Sequence, residues 1–142
     1  MCYPEKIIRG IASKSFVDSE GRLSSEAFQF LTNPERTDGF EEASINWYDN
    51  EEAFQIAWNQ KKSLSDDTFQ FKAGVAILSR EFLDSIIVRP NIQKALEYER
   101  QPIDGNKYHG NLLRKVGLEK QIQRMVASAI ALSMEMFIPR NE

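Results

Sequence analysis

His109 is the only histidine of the chain, and it lies in the run Gly105-Asn106-Lys107-Tyr108-His109-Gly110-Asn111. An imidazole titrates near neutral pH, so it can act as an acid, a base or a donor to an anion. Two glycines and two asparagines around it allow the backbone to approach a ligand closely. The alternative is a histidine that hydrogen-bonds a turn or opens a strand. Arg9 is the second candidate, set among Ile7, Ile8 and Ile11. A guanidinium in an apolar stretch needs a partner, because an unpaired buried charge is costly. Either it clamps a phosphate or carboxylate through paired N–H groups, or it points to solvent or pairs with an acid such as Glu26. Ser24, Ser25, Asn46, Asn106 and Asn111 supply small polar groups beside hydrophobic positions. With Arg9 holding an anion and His109 transferring a proton, they would complete a site for a small anionic ligand. Capping of a short helix by Ser24 and a water-facing Asn46 are the competing roles.

No other chemistry has a motif. A Gly-x-x-x-x-Gly-Lys-Ser/Thr loop and a Gly-x-Gly-x-x-Gly run are both missing, so neither nucleotide hydrolysis of that type nor dinucleotide binding has support. No nucleophile elbow accompanies the serines. The acidic pairs Glu41-Glu42, Glu51-Glu52 and Asp66-Asp67 are adjacent, whereas helical metal ligands need a spacing of three or four. No metal and no cofactor is expected. A single cysteine, Cys2, makes no internal disulfide and no cysteine-rich zinc site, which points to a reducing cytoplasm.

The elements that must position these residues read as one α+β domain over residues 1–142: a mixed or antiparallel sheet packed by two or three helices, including a long C-terminal helix. Ile7 to Ala12 is branched enough for a strand, with Gly10 marking a bulge or a close approach. Ala43, Ile45 and Trp47 alternate with Ser44 and Asn46, a half-buried strand. Asp49 three residues before Glu52 predicts a capped helix with Phe54, Ala57 and Trp58 on its apolar stripe. Thr68 to Leu78 alternates throughout and predicts one continuous strand. Ser79 predicts a helix cap, Lys94 to Arg100 a strand, and Pro102-Asp104-Gly105 a turn. Leu118, Ile122, Met125, Val126, Ala129, Ile130, Ser133 and Phe137 predict the final helix. Met125 to Ile138 falls short of the roughly 20 apolar residues of a membrane span and contains Glu135, so it reads as a buried helix. The opening residues carry no signal-peptide apolar run. Helices on one face alone would leave the other face of the sheet open to a ligand or partner.

Four islands, Ile7-Ile8-Arg9-Gly10-Ile11, Ser24-Ser25-Glu26-Ala27-Phe28, Ser44-Ile45-Asn46-Trp47 and Asn106-Lys107-Tyr108-His109, resemble a pattern of small uncharacterised bacterial proteins. The resemblance implies a bacterial source and brings no assigned activity. Arg9-Gly10 and Tyr108-His109-Gly110 are also similar to ADP-ribosyltransferase elements, but the second comes too near the C-terminus for that family's order. With 18 Lys and Arg against 21 Asp and Glu, the charge of -3 speaks against a duplex-DNA partner. The leading expectation is a cytoplasmic accessory or immunity-type protein that binds a larger protein. Its interface would be anchored by Trp47 and Trp58, and by Ala131 and Met134 of an apolar band wide enough for a second chain. The alternative is a small enzyme or nucleotide-binding domain with its anion site at Arg9 and His109.

Overall fold

A computed structural model describes residues 3–63, 66–92 and 94–140; Cys2 lies outside them. The strands are β1 (Lys6–Ile11), β2 (Phe40–Trp47), β3 (Lys61–Ser63), β4 (Asp66–Phe69), β5 (Gly74–Ser79), β6 (Leu96–Arg100), β7 (His109–Lys115) and β8 (Met134–Pro139). The helices are α1 (Glu51–Asn59), α2 (Arg80–Ile87) and α3 (Lys120–Leu132). Six strands form one antiparallel sheet in the order β6-β7-β2-β1-β5-β8, and β3 and β4 make a separate hairpin. The fold is α+β, with three helices.

Strand alternation divides the core in two. Ile7, Ile11, Ala43, Ile45, Trp47, Ala76, Leu78 and Leu112 face Leu83 and Ile86 of α2 and Val126, Ala129 and Ile130 of α3. Ile8, Val75 and Ile77 point the other way, onto Ala53 and Ala57 of α1. The second face of the sheet is therefore covered over part of its area by α1, and what remains open is a cleft beside that helix.

Three expected boundaries differ, each for a local reason. The cap of α1 is Asn50, whose side chain accepts from Ala53 N at 3.2 Å. Asp49 instead receives both terminal nitrogens of Arg100 at 2.9 Å. The alternating run Thr68 to Leu78 is broken after Phe69, because Gln70 N donates to Gln60 O and Ala73 N to Ile11 O. Gly74 then takes φ +134°, with its α-carbon against the Ile138 carbonyl where a Cβ would overlap. The chain thus leaves the hairpin and enters the sheet as β5. The final helix stops at Leu132. Ser133 donates its N–H to Ala129 O and Ile130 O and its hydroxyl to Ile130 O at 2.6 Å. Met134 to Pro139 then pairs with β5 as an edge strand, Val75 opposite Ile138. The apolar residues there fit both periods, and unpaired β5 backbone groups favour the extended form. Met125 to Ile138 is accordingly part helix and part strand.

Candidate functional site

The cleft has a volume of about 570 Å³ and opens between α1, the turn 103–106 and the polar side of β1, β2 and β7. Its apolar lining comes from Ile8, Ile56, Ala57, Phe71 and Ile103, and its polar lining from Ser44, Asn59, Gln60, Asp104, Asn106 and His109. Register brings the β residues together: Ile8 lies opposite Asn46, and Asn46 opposite His109, so all three share one face. Gly10 is part of the floor because Phe71 lies directly on it, where a Cβ would overlap the ring. The β3–β4 hairpin delivers that phenylalanine. Arg140 fixes it by donating to Phe71 O and Trp58 O while stacking its guanidinium on Trp58 and Phe69 at 4.0 and 3.8 Å.

Two buried asparagines hold the walls apart. Asn46 donates to Ala53 O of α1 at 3.1 Å and accepts from Asn106 Nδ2 at 2.8 Å. Asn106 in turn accepts from Tyr108 N at 3.1 Å. Tyr108 binds the start of α1, accepting from Asn50 and donating to Glu52. Asn46 and Asn106 are therefore spacers of the cleft, with both of their carbonyl oxygens engaged inside the protein.

His109 differs from them. Its Nδ1 lies 2.9 Å from Gln101 O, and a carbonyl accepts only, so Nδ1 carries the proton. Nε2 has no hydrogen-bond partner among the described residues, and the half-buried ring lines the cleft. Asp104, also in the lining, forms no ion pair among the described residues. The neutral ring thus offers one acceptor nitrogen of settled tautomer, and the protonated ring one free donor.

Arg9 leaves β1 on the opposite parity, beside Ile7 and Ile11, on the α3 side. The β1–β2 ladder ends at Ile8, and beyond it Leu31 pairs with Glu42 on the same flank of β2. The guanidinium occupies the split. It donates to Ser44 O at 2.6 Å and to Ala27 O at 3.1 and 3.4 Å, and packs 6.0 Å from the Phe28 ring. Burial pushes its pKa down to about 10. Arg9 lines a groove of about 310 Å³ with Phe16, Glu26 and Gln29, and that groove shares Gly10, Ser44, Gln60 and Phe71 with the His109 cleft. Arg9 and His109 therefore leave the sheet on opposite faces and line two separate spaces, which share Gly10, Ser44, Gln60 and Phe71 as common lining.

The remaining expected residues lie apart. Ser24 caps the short helix Ser25–Ala27, accepting from Glu26 N at 3.1 Å. Ser25 is exposed and borders a shallow depression with Arg114, Lys120 and Arg124. Asn111 is buried between Glu99 and Gln101, to which it donates at 2.6 and 2.8 Å. Among the described residues its Oδ1 has no hydrogen-bond partner. Trp47 presents no surface: it is 0% exposed, stacked on Tyr3 at 4.5 Å, edged by Tyr98, and its indole N–H donates to Glu99 O. As an interface anchor it is corrected by that burial. Trp58 is half-buried beneath Arg140, and Ala131 and Met134 pack partly against the core. Sequence reasoning missed Asn59, Gln60, Phe71 and Asp104. Only Asp104 carried a signal, as a turn residue five positions before the histidine.

No helix among the described residues is long and apolar enough to cross a membrane. Comparison with protein-family models, with curated proteins and with solved structures finds no match to the chain.

Proposed function

We propose that the chain is a small-ligand-binding domain that takes a polar organic molecule beside α1, with His109 exchanging a proton or a hydrogen bond with it. The observation that carries this reading is the His109 ring itself. Gln101 O engages Nδ1 and leaves Nε2 without a partner among the described residues, in a cleft whose remaining polar lining is Ser44, Asn59, Gln60, Asp104 and the paired amides of Asn46 and Asn106. About 570 Å³ suits a metabolite-sized ligand, since such sites run roughly 300–1,000 Å³. Few convergent polar groups on an apolar lining is the composition that gives orientation along with affinity.

The test is a titration of the ¹⁵N-labelled protein with nucleosides, amino acids and hydroxy acids, observed at the His109 ring nitrogens. Binders are expected to move Nε2 and the amides of Ser44, Gln60 and Asn106, and to lose their effect in Ile56→Trp, which fills the cleft. A folded protein in which none of these compounds moves Nε2 would overturn the reading.

A second reading, association with another protein chain, is favoured by the open edge of β8, where Met136 is 57% exposed. An edge strand offers unpaired backbone groups to a further strand. A larger protein or a second copy would add to it there. Light scattering decides the second copy: association is expected to yield folded monomers in Met136→Lys, and a monomeric parent sets self-pairing aside.

A further inference from the structure

We propose that the groove at Arg9 binds the carboxylate of an organic monocarboxylate, whose apolar body lies against Phe16 and Phe71. This rests on the cleft reading above and names the ligand class for it. Arg9 has no carboxylate partner among the described residues; its hydrogen bonds go to two backbone carbonyls. Arg36, Arg100 and Arg114, which are also sheltered, each face a carboxylate. A part-buried guanidinium held only by carbonyls is stabilised further by a carboxylate that reaches it. The three contacts leave one N–H on each terminal nitrogen uncommitted. A carboxylate that reaches the groove can accept from them.

Charge selects the anion. Arg9 and Glu26 are the charged residues lining the groove, so a single positive charge is opposed by one negative charge already present. A phosphate dianion is poorly matched there. Ala12, Phe16, Leu31 and Phe71 supply apolar surface for the rest of the molecule. Gly10, Ser44, Gln60 and Phe71 line both spaces, so a ligand seated at Arg9 borders the His109 cleft.

Benzoate, acetate and inorganic phosphate are the probes, titrated into the ¹⁵N-labelled chain at constant ionic strength. The readout is the Arg9 Nε–H resonance and the amides of Gly10, Ala27, Gln29 and Ser44. Benzoate is expected to give saturable shifts at all of these, acetate weaker ones, and phosphate none. In Arg9→Lys, which keeps the charge but loses the fork, benzoate affinity is expected to fall about tenfold or more. Arg89→Gln, at the far end of α2, leaves it unchanged. Absence of saturable benzoate shifts in the folded parent overturns the proposal, as does phosphate binding equal to benzoate. Failure here together with neutral molecules shifting His109 Nε2 removes the carboxylate site and leaves the cleft reading standing. Benzoate in the groove with a silent Nε2 does the reverse.

Discussion

At His109 a backbone carbonyl engages Nδ1 and leaves Nε2 without a partner among the described residues, and at Asn106 a side-chain amide ties the turn 103–106 to Asn46 of β2. Asn106 satisfies Asn46 Oδ1 and the Tyr108 N–H in a buried place at the wall of the cleft. Asn106→Ala should therefore leave two buried polar groups unpaired and destabilise the protein by about 2 kcal/mol, read from urea unfolding. Asp49 makes a different kind of contribution. Two hydrogen bonds from Arg100 outweigh partial burial and hold its carboxyl below the ordinary range. A depressed carboxyl pKa means stability that is fully present above the unfolded value, about 3.9, and lost as pH falls through the folded one. Asp49→Asn should cost about 1 kcal/mol at neutral pH, since the pair is only partly sheltered. The difference from the parent should vanish in strongly acidic urea titrations, and a difference independent of pH would remove the ion pair as its cause.

Among the elements, those with one dominant signal were legible in the sequence. β2 was readable because Ala43, Ile45 and Trp47 alternate cleanly, and α2 because Ser79 caps it. The ends of α1 and α3 were less so. Asp49 and Asn50 are both competent caps, and the choice fell to Asn50 because Arg100, remote in sequence, engages Asp49. Met134 to Pro139 satisfies two periods, and the free flank of β5 settles it. The break at residues 70–73 was hidden inside perfect alternation; its cause is pairing with Gln60 and Ile11, which no local pattern encodes. Gly74 makes that break possible. Gly74→Ala should strain a positive φ and press a Cβ on the Ile138 carbonyl. A loss of about 2 kcal/mol or more in urea unfolding is expected, with hydrogen exchange faster along β8.

Over the whole molecule, the sheet is a divider with α2 and α3 on one side and α1 on the other. Val126 is 0% exposed on the α3 side. Val126→Asp should place an unpaired charge in the core and lower stability by several kcal/mol, roughly 3 or more, in a circular-dichroism melt. An unchanged melt would mean that α3 is not packed on the sheet. The candidate site was legible in part: His109 and Arg9 drew attention by type, and both line the adjoining spaces. What the sequence concealed was the roles of the amides: Asn46 and Asn111 look available until strand pairing buries them, and Asn106 until the turn at 103–106 brings it onto Asn46. Trp47 was concealed likewise, because exposure of an aromatic depends on Tyr3 and Tyr98 arriving over it.

Soaking crystals of the protein with a library of small polar fragments tests the ligand-binding reading most directly. The account predicts that bound fragments recur in the cleft beside α1, with a polar atom at hydrogen-bond distance from His109 Nε2, about 2.6–3.2 Å. Fragments found only on other surfaces, with the cleft empty across the library, would contradict it.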